Sequence, residues 1–228
     1  MNKKHYCNTL LNYSFLNSNE KYIIKKNHKK TKLLLGSEYF PAGKDFVNTK
    51  SKIKKRKIIK EIFIFFGSGD KTNLSIKILP IIKYFNKIKF HLVIGKLNKN
   101  NFKIKKNAKL LKNLKIYEEI NSKKISLLIK NSDLAIGSGG VNLFERIYLG
   151  LPSIVFKTNK SQNLNIKNSL SEKLIINLGN YKKFSKKKLI KTILLLLNDK
   201  KKFEKISTRC FNALKLNDHK KTMKEILS

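Results

Sequence analysis

Residues 134–156 read LAIGSGGVNLFERIYLGLPSIVF, and this stretch decides the fold class. Its first residues, 134–137, are apolar and lead into a run of glycines, which is typical of a buried strand that turns tightly into a helix. The segment after the glycines carries Glu145 and Arg146 at helical spacing, and Gly-Leu-Pro then precedes a second apolar run at 153–157. A strand, a helix and a strand in this order predict a βαβ unit of a parallel sheet.

The same alternation extends from residue 61 to about residue 180. Short apolar runs without strict alternation predict buried parallel strands, and they lie at 61–66, 90–95, 114–120, 134–137, 153–157 and 174–179. Segments with apolar residues three and four positions apart lie between them and predict crossover helices. The whole pattern predicts an α/β fold with a doubly wound parallel sheet. After residue 184 we expect two or three amphipathic helices that pack back on this sheet.

The first sixty residues have a different pattern. They contain two short apolar runs, at 9–12 and 32–36, followed by a stretch with Pro41, Gly43 and several lysines. Proline, glycine and a charge run together indicate a connection between structural units. We therefore predict an N-terminal unit at 1–48, a linker at 49–60 and a main domain at 61–228.

The composition is strongly basic, with 52 Lys and Arg against 14 Asp and Glu and a formal charge of +38. Such a charge would ordinarily suggest a nucleic-acid partner. Arginine, however, occurs only at Arg56, Arg146 and Arg209, and no basic stripe alternates with stacking aromatic residues. The abundance of Lys, Asn and Ile is what an AT-rich genome imposes on any protein. The composition therefore argues against a dedicated nucleic-acid site.

The cysteines and the apolar runs indicate an ordinary intracellular protein. Cys7 and Cys210 lie near opposite ends without metal-ligand spacing, so we predict no metal site, no disulfide and no cofactor. The run at 189–197 is far shorter than the ~20 residues that span a bilayer. The N-terminus does not have the pattern of a signal peptide. We expect a cytoplasmic protein without a transmembrane segment.

Two glycine-rich loops are the candidate ligand site, because ligands of open α/β sheets bind beyond the carboxyl ends of the strands. The first loop contains Gly67, Ser68, Gly69 and Asp70, and the second contains Gly139, Gly140, Val141 and Asn142. Glycine allows the backbone to approach a ligand, and the N–H groups of a following helix bind phosphate. Together the loops predict a cradle for a diphosphate.

Each candidate residue also has a purely structural interpretation. Asp70, Thr72 or Asn73 can cap the next helix, and a carboxylate at Glu145 is favoured by the helix dipole alone. Glu145 could equally accept two hydrogen bonds from a ribose diol. Ser161 and Gln162 stand at another helix start on the same edge, where Ser161 could be an N-cap or the pair could contact a nucleotide or sugar. Neither glycine loop contains a histidine, and His91 falls within a predicted strand, where a structural role is expected.

The stretch at 134–156 resembles the signature of the C-terminal domain of GT-B proteins of the MurG-like class, and most closely the PseG family of UDP-sugar hydrolases in pseudaminic acid biosynthesis. That family reads G-A-G-G-S-T-x-W-E-R with a later G-L-P, which is matched here by Gly137, Gly139, Gly140, Glu145, Arg146, Gly150, Leu151 and Pro152. The segments CNTLLNYSF, KLLLGSEYFPAGKDF and IFIFFGSGDKTNLS are similar to three further family motifs in the same order.

The resemblance implies a UDP site and a reaction. It implies that Glu145 holds the ribose, that the helix start at 139–142 receives the diphosphate, and that the loop at 67–70 lines the cleft. It also places Ser161 and Gln162 near the sugar. The family reaction is hydrolysis of a UDP-sugar at the anomeric carbon. The family's Ser-Thr pair is Val141-Asn142 here, so one phosphate-facing hydroxyl is lost while the backbone N–H groups remain.

The resemblance also implies a missing half. Family members carry an N-terminal Rossmann-like domain whose first glycine-rich loop holds the catalytic histidine, and no position here matches that histidine. We therefore expect residues 1–48 to be a remnant of that domain and leave the catalytic residue unassigned. A separately encoded N-terminal domain or subunit, or a longer reading frame, would have to supply it. The alternatives are the donor-binding subunit of a split MurG-like glycosyltransferase and a UDP-binding module without catalysis.

Overall fold

The computed structural model describes residues 6–214 and 219–227. Its N-terminal part is a small unit built on two parallel strands, in which Thr9 pairs with Lys32. The elements are β1 (Thr9–Asn12), α1 (Ser18–Asn27), β2 (Lys32–Leu35), a 3₁₀ turn (Ser37–Tyr39) and α2 (Lys44–Lys50). Asn17 and Glu20 form a capping box at the start of α1, which satisfies two backbone N–H groups of its first turn.

A six-stranded parallel sheet forms the centre of the molecule. Its strands are β3 (Glu61–Phe65), β4 (Lys89–Ile94), β5 (Leu114–Glu118), β6 (Leu134–Ser138), β7 (Ser153–Lys157) and β8 (Ile175–Asn180). They lie in the order β5-β4-β3-β6-β7-β8. All six predicted strands are present, and the doubly wound α/β fold is confirmed.

Helices connect the strands and follow the last one. They are α3 (Leu74–Ile82), α4 (Asn101–Ala108), α5 (Ser122–Asn131), α6 (Val141–Tyr148), α7 (Asn163–Ser171), α8 (Lys186–Asn198), α9 (Lys200–Ala213) and α10 (His219–Leu227). The predicted C-terminal helices are therefore present as α8, α9 and α10. Apolar residues of α8 and α9, such as Leu189, Ile193 and Phe203, are fully buried in the core of the sheet domain.

The centres of the two middle strands of the sheet, β3 and β6, are fully buried in the core. Ile62, Phe63 and Ile64 of β3 have no exposed surface, and the same is true of residues 134–136 in β6. Strands buried on both faces need no polar alternation, which explains their continuous apolar sequence. The loops at the carboxyl ends of β3 and β6 thus follow strands whose central residues are fully buried.

The segment between the two units is packed rather than extended. Helix α2 runs across residue 48, the predicted boundary, and Thr49 Oγ1 lies 3.0 Å from Ser126 Oγ of α5. Arg56 is buried, and its guanidinium donates to five carbonyl oxygens, those of Ile129, Lys130, Ser132, Leu149 and Gly150. Burial lowers the pKa of Arg56 to about 10. The division of the chain into units at 48 and 60 stays a prediction, and Arg56 binds the intervening segment firmly to the sheet domain.

The N-terminal unit docks on α6 and α7. The Tyr13 ring meets the Phe144 ring edge-on, with centroids 5.0 Å apart. Polar contacts join the same surfaces, since Ser14 Oγ lies 3.1 Å from Asn165 Oδ1 and Asn168 Nδ2 donates to Glu20 Oε2 at 2.9 Å. Aromatic pairs of this kind contribute beyond their buried area. The unit is therefore part of one packed body with the sheet domain.

Two further expectations from the sequence concern membranes and cysteines. Within the ranges described above, no helix is both long and apolar enough to cross a membrane. Cys7 and Cys210 are both free, the first exposed and the second buried. Burial raises the pKa of the Cys210 thiol to about 12, so this side chain behaves as a small apolar residue.

Candidate active site

The strand order places the two glycine-rich loops next to each other. The chain adds β4 and β5 on one side of β3, and then adds β6, β7 and β8 on the other side. Neighbouring strands β3 and β6 are in register, with Phe65 opposite Gly137. Both strands therefore end at the same point of the carboxyl edge, where the winding reverses. In open α/β sheets this switch point is where ligands bind.

The first glycine loop lines a cleft of about 610 Å³. The other walls are contributed by the loops after β4 and β7, and the lining comprises residues 66–73, Leu97, Lys99, Asn100, Thr158 and Asn159. The volume lies within the range of about 300–1,000 Å³ that is usual for ligand pockets. All of the predicted residues of the first loop, Gly67 to Asp70, line this cleft, whereas residues 139–142 of the second loop do not.

Asp70 caps the first turn of α3 from the preceding loop, whereas the N-cap residue itself, Asn73, makes no side-chain cap bond. Its carboxylate accepts hydrogen bonds from Ser75 N at 2.8 Å, Leu74 N at 3.2 Å and Thr72 Oγ1 at 2.9 Å. These bonds occupy the N-terminus of α3, the position where a phosphate could otherwise bind. The structure thus supports the capping interpretation of Asp70, and a direct contact of Asp70 with a ligand stays a prediction.

Replacing Asp70 by alanine should lower the free energy of unfolding by about 1–2 kcal/mol, because two buried backbone N–H groups lose their acceptor. Urea unfolding followed by circular dichroism measures this change. Asp199→Ala is the matched control, since Asp199 caps α9 at an exposed position with one bond to Lys202 N. A loss no larger than that of the control would contradict the buried capping role.

The second glycine loop leads into a helix whose N-terminus has no side-chain cap. Gly140 occupies the N-cap position of α6 and makes no capping bond. Helices α2, α4 and α7 also lack a side-chain cap bond, so what distinguishes α6 is its position at the switch point. The first N–H groups of any helix lack partners within the helix and carry its positive dipole end. The start of α6, at Val141 and Asn142, can therefore receive an anion.

Glu145 lies one turn further along α6 and is half-buried. Asn142 Nδ2 donates to Glu145 Oε2 at 2.6 Å, which orients the carboxylate. Burial raises the pKa of Glu145, while the bond from Asn142 and the charge of Arg146 oppose that rise. The pKa of Tyr13 is raised by its own burial and, second, by the charge of Glu145, so this carboxylate interacts electrostatically with the N-terminal unit.

The raised pKa of Glu145 predicts a pH-dependent stability difference. A carboxyl group whose pKa is higher in the folded state stabilises the fold below its ordinary value of 4.5, and this contribution is lost as the pH rises through the folded-state pKa. Glu145→Gln cannot ionise, so its melting temperature relative to wild type should increase between pH 4 and pH 7. Scanning calorimetry between pH 4 and pH 7 measures this difference in melting temperature, with Glu204→Gln at an exposed position as control. A constant difference would contradict the expectation.

Gln162 links the second glycine loop to the cleft. Its side chain is buried, and Oε1 accepts from Thr158 N at 3.0 Å and from Gly139 N at 3.4 Å. Its Nε2 donates to Thr158 Oγ1 at 2.9 Å. Ser161 is exposed, and the local cap is Asn159, which accepts from Ser161 N at 2.7 Å. The N-cap interpretation of Ser161 is therefore wrong: Asn159 is the N-cap of the 3₁₀ turn Lys160–Gln162, and Gln162 is the N-cap of α7.

Comparison with known proteins identifies the family. Residues 34–226 match the model of the glycosyltransferase family 28 C-terminal domain. The chain belongs to this family. Two relatives are the uncharacterized protein MJ1062 of Methanocaldococcus jannaschii and the spore coat polysaccharide biosynthesis protein SpsG of Bacillus subtilis. The first is 31% identical over 152 residues, covering 63% of this chain and 30% of that protein. The second is 23% identical over 152 residues, covering 65% and 44%.

The chain thus spans less than half the length of either relative. Solved structures share its fold at low identity. UDP-GlcNAc 2-epimerase from Neisseria meningitidis, bound to UDP-GlcNAc, has a TM-score of 0.56 and 19% identity over 81% of this chain and 48% of that one. Acinetobacter baumannii MurG has a TM-score of 0.55 and 12% identity over 79% and 52%. The rhamnosyltransferase SpnG, complexed with thymidine diphosphate, has a TM-score of 0.59 and 16% identity over 75% and 46%.

In this family 28 domain, several cleft residues escaped prediction from the sequence. Thr158 and Asn159 follow β7, and Leu97 and Asn100 follow β4. Their positions at strand ends are a usable signal, but their residue types are not, because Asn and Thr also form ordinary turns. The described residues contain no group of three or more His, Cys, Asp or Glu side chains that could hold a metal ion.

Proposed function

We propose that the chain binds the UDP part of a UDP-sugar at the carboxyl edge between β3 and β6. The observation that carries this proposal is the uncapped N-terminus of α6 at the switch point, with Glu145 one turn further on the same helix. The free N–H groups would bind the diphosphate, and the carboxylate would accept hydrogen bonds from the ribose hydroxyls. The cleft beside Gly67 to Asp70 would then receive the rest of the ligand.

The family and its neighbours support a nucleoside diphosphate as the ligand. The Neisseria epimerase of the same fold was solved with UDP-GlcNAc, and SpnG with thymidine diphosphate. Two lysines, Lys71 and Lys99, line the cleft and add positive charge. Such charge favours anionic ligands.

For the reaction, we infer hydrolysis of the UDP-sugar in nonulosonic (pseudaminic) acid biosynthesis, which rests on the sequence resemblance. When the bond between the anomeric carbon and the diphosphate oxygen breaks, negative charge develops on the departing UDP. The dipole and N–H groups of α6 would stabilise that charge. Water activation needs a base, for which the family's histidine has no counterpart here, so we assign that step to an N-terminal domain or partner subunit.

A second candidate is the donor-binding half of a glycosyltransferase. The family 28 match and the fold shared with MurG support it. The UDP site would be the same in both cases, and the difference lies in whether water or a sugar hydroxyl attacks the anomeric carbon. Binding without catalysis is the third outcome.

Titration calorimetry with UDP tests the binding proposal, and ADP serves as the control for the base. We expect UDP to bind. The proposal is overturned if UDP gives no binding heat and does not compete with UDP-GlcNAc for the chain. The chain is then mixed with the product of the neighbouring gene and with UDP-sugars. Release of UDP without an acceptor indicates hydrolysis, and release only with an acceptor indicates transfer. UDP binding with no release in either assay indicates a binding module.

A further inference from the structure

Arg146 is a fully buried arginine whose hydrogen bonds are incomplete. Its side chain has no exposed surface. Nε donates to Asn142 O at 3.1 Å and Nη2 donates to Ser138 O at 2.5 Å. Nη1 has no hydrogen-bond partner among the residues that the structure describes. An unsatisfied buried guanidinium nitrogen is costly and calls for a physical explanation.

The guanidinium lies at the base of the switch point. A Cβ atom added to Gly137 would lie within 3.0 Å of both Arg146 Nη1 and Phe65 O. Gly137 and Phe65 are the paired residues at the ends of β6 and β3. Glycine at position 137 therefore leaves room for the guanidinium at the ends of β3 and β6, from which the two glycine-rich loops continue.

The charge of Arg146 is not neutralised by an ion pair. The ion pairs formed by the described residues do not include it. Burial lowers its pKa to about 10, with the charge of Glu145 opposing, so the side chain is still charged at neutral pH. Arg56 provides the contrast, because all three of its guanidinium nitrogens donate to carbonyl oxygens. Leaving a buried charge unpaired is strongly unfavourable unless something else compensates it.

We propose that Arg146 is an electrostatic anchor for the ligand's diphosphate, acting from the ends of β3 and β6 without touching the ligand. This inference rests on the proposed UDP site. A fixed positive charge in a low-dielectric interior acts over several ångströms and favours an anionic ligand over a neutral one. It would therefore separate UDP from uridine, and it would favour the charge that develops on a departing UDP.

The first test uses the wild-type chain and ¹⁵N NMR of its arginine side chains. Addition of UDP or inorganic pyrophosphate should shift the guanidinium signals of Arg146, whereas uridine should not. Arg56, which is buried and fully bonded, is the internal control and should not respond to any of the three. Shifts of Arg146 that are equal with uridine and UDP, or absent with UDP, would overturn the inference.

The second test compares Arg146→Gln with Arg146→Lys. We expect Arg146→Gln to weaken UDP binding roughly tenfold or more and uridine binding less than about twofold, while Arg146→Lys keeps the preference for UDP. Equal losses for both ligands would show a structural role alone. If wild type binds no UDP, the proposed function fails and this inference with it. If wild type binds UDP and Arg146→Gln prefers UDP over uridine as strongly as wild type does, only this inference fails. The NMR test decides the matter if Arg146→Gln does not fold.

Discussion

Replacing Glu145 by alanine should weaken UDP binding roughly 100-fold, the equivalent of about 2.7 kcal/mol. The carboxylate is half-buried, oriented by Asn142 and placed one turn from the helix start that would hold the diphosphate. A hydrogen bond to a charged group contributes about 1.5–3 kcal/mol, so the expected loss corresponds to between one and two such bonds from the ribose hydroxyls. Titration calorimetry with UDP measures the loss.

A ligand lacking one hydroxyl makes this test specific. In wild type, 2′-deoxy-UDP should bind more weakly than UDP, and in Glu145→Ala the two should bind alike, because the acceptor is gone. Such a double cycle isolates the interaction between the carboxylate and the ribose from general damage. Glu204→Ala, on an exposed part of α9, should bind UDP as wild type does. If Glu145→Ala still discriminates between the ligands, Glu145 does not hold the ribose.

The sequence predicted the strands and helices of the sheet domain because their signals are local. Buried strands such as 61–66 and 134–137 are continuous apolar runs, and the structure has β3 and β6 there. The two glycine loops were found for the same reason, since a strand that ends in glycines is visible without knowledge of the rest of the fold. Their position at one edge followed from the general rule for parallel sheets.

What escaped prediction depends on contacts between distant parts of the chain. Arg56 falls in a segment with the composition of a linker, yet it binds carbonyl groups 73 to 94 residues away. From the sequence, Asp70 could either cap the next helix or contact a ligand. Only its bonds to the backbone N–H groups of Leu74 and Ser75 identify it as a capping residue. Arg146 matched a family motif, but no local pattern indicates that it is buried at the ends of β3 and β6 without an ion pair.

Gly95 also makes a contact that the sequence does not reveal, with the main chain of Ser68. Gly95→Ala should therefore lower the free energy of unfolding and change the shape of the cleft. A Cβ atom at position 95 would lie within 3.0 Å of Cα, C and O of Ser68. These are main-chain atoms, so the first glycine loop must move to make room. Overpacking of this kind costs about 2–3 kcal/mol. We expect that loss in urea unfolding and, because Gly67 to Asp70 line the cleft, at least about tenfold weaker UDP binding.

Gly69→Ala is the control for the stability effect, because it adds the same methyl group within the first glycine loop itself, where it lines the cleft. The nearest atoms to its Cβ would be at 3.9 Å, an ordinary van der Waals distance. We therefore expect a change in unfolding free energy within about 0.5 kcal/mol, as for a substitution that meets no obstacle. Equal losses in the two variants would mean that the close approach of position 95 to Ser68 is not the cause of the destabilisation. Equal tolerance would mean that the loop at Ser68 moves freely, so that its contact with Gly95 does not set the shape of the cleft.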